Sequence, residues 1–164
     1  MTTLNEIRSH HPCQDGWAKL LKYLNKTSAD DEPLHLITVL TSNGLDDAIW
    51  CLRTEPTPER IQQFALAVAR RTQHLHPQAK ATLDIVERYL SGQAITAELD
   101  ATRCAAARCA AANAVNAAGD AAAADYVACA AAHAADAAAA AVDAATDIAA
   151  EREAQSQIFK EIFA

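Results

Sequence analysis

Apolar positions recur three and four residues apart along most of the first hundred residues. No stretch alternates apolar with polar residues as a strand would. Trp17, Leu20, Leu21 and Leu24 fall at i, i+3, i+4 and i+7 and predict a helix over about residues 13–25. Glu32-Pro33 predicts the start of the next helix, with proline in its first position. Leu36, Ile37 and Leu40 form its stripe, and Asn43-Gly44 supply the left-handed turn that stops it. The stretch LDDAIWCLR predicts a short helix with Leu45, Ala48, Ile49 and Leu52 inward, and with Asp46 and Asp47 in the first turn, where the helix dipole favours anions. Thr57-Pro58-Glu59 is a helix start, followed by Ile61, Phe64, Ala65 and Val68. His76-Pro77 opens another helix, with Ala79, Leu83, Val86 and Leu90 inward and Gly92 at its end. Thr96 is expected to cap the first alanine-rich helix.

The pattern then changes. Residues 101–150 contain 29 alanines, and Gly119 is the one obvious breaker. Helices are expected near 96–118 and from 120 onward. A single helix from 120 to 162 would be roughly 65 Å long, against a radius of gyration of about 15 Å for a compact chain of this length. A break is therefore expected, with Tyr126, Val127, Ile148, Ile158, Phe159, Ile162 and Phe163 anchoring the tract to one body. Leu, Ile, Val and Phe number 32, of which residues 1–99 hold 24. The expected fold class is thus all-α: a helical bundle over residues 1–95, and an alanine-rich portion over 96–164 packed on it as one domain. Facing alanines let helix axes approach closely, as a hairpin or as long helices.

Charge adds a surface to this shape. The chain carries −7, and seven acids but one arginine lie between Asp120 and Glu153. That balance argues against direct nucleic-acid binding, which needs cations to displace counterions. It suits a protein partner with a basic surface. Asp136, Asp143 and Asp147 are spaced to share one helical stripe, and Glu151 extends it by four. These four are the candidate partner-binding residues, with Asp46, Asp47 and Trp50 as a second patch. The long thin helices leave pairing with a second copy open.

Other chemistry is weaker in the pattern. Cys129, His133 and Asp136 lie at i, i+4 and i+7, residue types that ligate zinc or pair as nucleophile and base. The spacing matches no finger, and nothing nearby supplies an oxyanion hole, so no metal, cofactor or catalytic residue is assigned. His10-His11-Pro12-Cys13 reads as a structured turn. His74-Leu75-His76 reads as helix capping, and Asp30-Asp31-Glu32 as capping of the helix that follows. Five cysteines without a CxxC pair suggest reduced thiols. The opening MTTLNEIRSHHPCQDGW lacks the apolar run of a signal peptide. Asp125, His133, Asp136 and Asp143 interrupt every alanine-rich window long enough to span a bilayer. A cytoplasmic location without membrane contact is expected.

The stretch from His11 to Arg53 resembles the Imm-5-like group of bacterial immunity proteins. The matching pieces are Cys13 with DGW, then DDEPL, then SNGLDDAIWCLR. The alanine-rich tract and the closing QSQIFKEIF are similar too, so the resemblance runs through nearly the whole chain in order. It implies a helical, non-catalytic protein that neutralises a toxin. An acidic inhibitor of a nucleic-acid-binding host defence complex, phage-encoded and anti-CRISPR-like, is the alternative. A metal or thiol enzyme built on Cys129 and His133 is the reading from a different class.

Overall fold

The computed structural model describes residues 1–72, 77–99 and 148–164. Every regular element among them is helical, in line with the all-α expectation. In chain order they are α1 (Leu4–Ser9), α2 (Gln14–Tyr23), α3 (Leu36–Asn43), α4 (Leu45–Trp50) running into a 3₁₀ turn (Cys51–Thr54), α5 (Pro58–Thr72), α6 (Pro77–Leu90) and α7 (Ile148–Phe163). A further helical turn covers residues 96–99 and already includes Thr96, which the sequence reading placed as a cap.

The first helix was absent from the sequence expectations, which had only a turn before α2. A capping box starts it. Thr3 Oγ1 accepts from the Glu6 amide at 3.1 Å, and Glu6 Oε2 accepts from the Thr3 amide at 2.9 Å. Leu4 and Ile7 are buried three residues apart, so even this short helix has an inward side. His11 then adopts a left-handed conformation (φ 57°) that turns the chain. Cys13 caps α2, its sulfur accepting from the Gly16 amide at 3.3 Å.

The predicted helix start at Pro33 does not hold. Residues 31–33 are non-helical, and Leu34 pairs instead with Thr2 in an isolated antiparallel bridge, with N–H···O distances of 2.9 and 2.7 Å. That pairing holds the segment extended, and α3 begins only at Leu36. The acidic run beside it is tied by side chains rather than by a helix dipole. Lys26 takes Asp30 and Glu32, and the Asn5 amide donates to Asp31 at 2.8 Å. Lys26 holds the Asp30 carboxyl below its usual range.

Elsewhere the stripes lie where the spacing put them. Gly44, at φ 105°, makes the corner between α3 and α4, a conformation glycine adopts without steric cost. Leu45, Ala48, Ile49 and Leu52 are all buried, as are Ile61, Phe64, Ala65 and Val68 on α5 and Leu83 and Val86 on α6. Val86 forms a satellite cluster with Leu99, against which Leu66, Tyr89 and Leu90 pack. Arg70 clamps α5 to α6 through Asp84 (2.8 Å) and Glu87 (2.6 Å).

The last helix, α7, packs against α5, α3 and α4 and completes the main core. Phe159 meets Phe64 edge-on, with centroids 5.6 Å apart and planes at 82°. Phe163 lies 4.6 Å from Phe159 and 6.2 Å from Phe64. Such aromatic contacts contribute beyond the area they bury. Arg60 finishes the seam: it lies 5.0 Å over the Phe163 ring and donates from Nε (2.9 Å) and Nη2 to the Ile162 carbonyl, an orphan acceptor in the last turn of α7.

Candidate functional site

Helix α7 buries every fourth residue: Glu151, Gln155, Phe159 and Phe163. The first two are polar, and their position corrects one expectation. Glu151 is not on an outward acidic stripe; it is 4 % exposed and faces α5. Arg71 explains why. Its Nε approaches both Glu151 carboxylate oxygens at 3.0 and 2.9 Å, and its Nη2 reaches Oε2 at 2.9 Å. Gln155, fully buried, donates to Glu151 Oε1 at 3.1 Å. A carboxylate with three such donors is stable inside the fold. Glu151 is therefore a structural group and leaves the candidate site. The other stripe members, Asp136, Asp143 and Asp147, lie outside the described residues, as do Cys129, His133, Gly119 and the expected break in the long helix.

The second patch is described in full, and it has geometry. Asp46 is the outermost member, its side chain 82 % exposed with Arg152 Nη1 at 3.4 Å. Asp47 and Trp50 are half-buried. They line a cavity of about 70 Å³ between α2 and the α3–α4 corner, together with Cys13, Gly16, Trp17, Leu20, Val39, Asn43 and Cys51. Arg53 stacks over the Trp50 ring at 4.1 Å, a cation–π contact.

Gly16 lets the cavity form. A Cβ there would come within 2.7 Å of Asp47 Oδ2 and 3.0 Å of Cys13 Sγ. Without it, Asn43 Nδ2 reaches both the Gly16 carbonyl and Asp47 Oδ2, each at 2.7 Å. Ser42 Oγ donates to Asn43 Oδ1 at 2.7 Å, which fixes the amide, and Lys19 Nζ donates to the Asn43 carbonyl at 3.1 Å. This polar clasp fastens α2 to the corner and sets the Asp47 carboxylate in the cavity wall. Burial and the Asp47 charge push the Cys51 thiol up to about 12, so it stays protonated at neutral pH and is no nucleophile there.

The sequence reading named Asp47 and Trp50 but missed Gly16, Asn43 and Trp17 as parts of one site. The available signal was that CQDGW and SNGLDDAIWC carry unusual residues for helix ends; their meeting is a tertiary fact. Cys13 is exposed and Cys51 buried, and both are free thiols. Among the described residues, no three His, Cys, Asp or Glu side chains converge as a metal site. No helix among them is long and apolar enough to cross a membrane.

Fold and cavity together define an all-α protein with a small, partly apolar receptacle whose wall carries one carboxylate. No protein-family model matches the chain, and neither a curated protein nor a solved structure does.

Proposed function

We propose that the chain is a non-catalytic binding protein that neutralises a protein partner, as the resemblance to Imm-5-like immunity proteins implies, and that this partner has a basic surface, as the chain's acidity suggests. The supporting observation is a convergence. Two of the stretches that carry the resemblance, Cys13 to Trp17 and Ser42 to Arg53, meet at one cavity, and the exposed carboxylate of Asp46 stands beside it on the same helix. Trp50 is of a residue type enriched in binding hot spots. The net charge of −7 favours encounter with a cationic surface. Asp136, Asp143 and Asp147 belong to the same proposal on sequence grounds; Glu151 does not.

The test is capture from the native host with the tagged chain, followed by identification of what is retained. A stoichiometric basic protein is expected, with association that slows as salt rises. Asp46→Lys should lower capture at least fivefold while the chain still unfolds cooperatively within a few degrees of the native melting temperature. Undiminished capture by Asp46→Lys, together with indifference to salt, overturns the reading. The identity of the retained protein also separates a toxin from a nucleic-acid-binding defence complex.

A further inference from the structure

The cavity beside α4 has a size that selects its occupant. At about 70 Å³ it has room for several waters at ~10–15 Å³ each. It falls well short of the ~300–1,000 Å³ typical of cofactor and substrate pockets. The end of one amino-acid side chain fits. Trp17, Leu20, Val39, Trp50 and Cys51 make the wall largely apolar, and Asp47 is its carboxylate. Asp47 Oδ2 accepts from Asn43, an uncharged donor, and no ion pair to Asp47 forms among the described residues. The neighbouring cations are engaged elsewhere: Lys19 on the Asn43 carbonyl, Arg53 on the Trp50 ring and Arg152 beside Asp46. A carboxylate that no described cation pairs, set in a largely apolar wall, is complementary to a hydrocarbon stem with a cationic end.

We propose that this cavity receives one lysine or arginine side chain of the partner protein, with Asp47 as its counter-ion and Trp17 and Trp50 against its stem. The inference rests on the binding-protein reading and names the partner chemistry of the same site. Asn43 acts as the positioning residue, because it holds the carboxylate against the Gly16 backbone.

The chain has two tryptophans, and both line the cavity, so intrinsic fluorescence and indole N–H resonances report on it directly. The experiment titrates the intact chain with N-acetyl-arginine amide, N-acetyl-lysine amide and the neutral N-acetyl-norleucine amide. Saturable binding of a cationic amide is expected, at least tenfold tighter than norleucine. The tighter of the two cations identifies a guanidinium or an ammonium as the natural occupant. Asp47→Asn, which keeps an acceptor for Asn43, should remove that tenfold preference. Equal binding of norleucine, an unchanged preference in Asp47→Asn, or no saturable response up to tens of millimolar overturns the assignment. The comparison of amides on the native chain stands even if the variant fails to fold. Host capture with Asp47→Asn then separates the two claims. If the native chain retains a partner and the variant retains it equally, the cavity assignment falls and the binding-protein reading stands. If the amides bind but the native chain retains nothing, the reverse holds.

Discussion

The seam between α5 and α7 and the cavity between α2 and α4 each set a carboxylate against apolar side chains, and they treat it in opposite ways. At the seam, Glu151 meets a two-pronged Arg71 and the amide of Gln155, and all its charge is spent inside the molecule. At the cavity, the uncharged Asn43 amide donates to Asp47, no ion pair to it forms among the described residues, and we propose that its charge is available to something outside. Both acids sit on helices, and both are partner-binding candidates in the sequence, Glu151 by its spacing and Asp47 as part of a second patch. What faces a carboxylate across the fold decides its role, and helical periodicity does not report that.

The contrast can be broken most severely at the apolar end of the seam. Phe159→Ala removes the ring that joins Phe64 to Phe163 and should cost about 3–5 kcal/mol in denaturant unfolding. Arg71→Ala should cost about 3 kcal/mol, the lower end for breaking a buried pair, because Arg71 itself is 39 % exposed. Pairing that change with Glu151→Gln should restore most of the loss, since the expense lies in the stranded charge.

At the cavity the effects are smaller. Gly16→Ala gains about 1 kcal/mol of helix propensity but forces a methyl against Asp47 and Cys13. A net loss of about 1–2 kcal/mol is expected from overpacking, relieved when Asp47→Ala is added. Cys51 contributes a pH dependence of definite sign. Its folded pKa, about 12, lies above the ordinary 9.0, so its contribution is complete below pH 9 and is lost as pH rises towards 12. Unfolding measured at pH 8 and pH 10 should differ by about 1 kcal/mol from this group, and Cys51→Ala should flatten that slope. Asp46→Lys should cost about 1 kcal/mol, because it reverses a charge in the first turn of α4 and beside Arg152, and Asp46→Asn serves as the control that keeps the fold undisturbed while removing the charge.

Helices with a strong apolar stripe were legible in the sequence because burial follows spacing. Leu45, Ala48, Ile49 and Leu52, and Ile61, Phe64, Ala65 and Val68, are all inside. Local chemistry also announced Gly44 and Pro58. The capping box at Thr3 and Glu6 was equally local but opens a helix of six residues, too short to show a period. The failures elsewhere have a common cause. Pro33 is a good helix start that Thr2 overrides by pairing with Leu34. Glu151 looks solvent-facing until Arg71, 80 positions earlier, is placed opposite it. The cavity depends on an absent Cβ at Gly16 meeting a side chain from α4. Each is a contact between distant segments, which no window along the chain contains.

The grip of Arg60 on Ile162 joins residues 102 positions apart. A ribosome adding about 5–20 residues per second needs roughly 5–20 s to supply the second after the first. Throughout that interval Phe64 and its neighbours on α5 have no aromatic lid. The nascent protein therefore presents a sticky, half-built surface to the cell for seconds, long enough for chaperones to hold it, and commits to its final form only when the closing helix arrives.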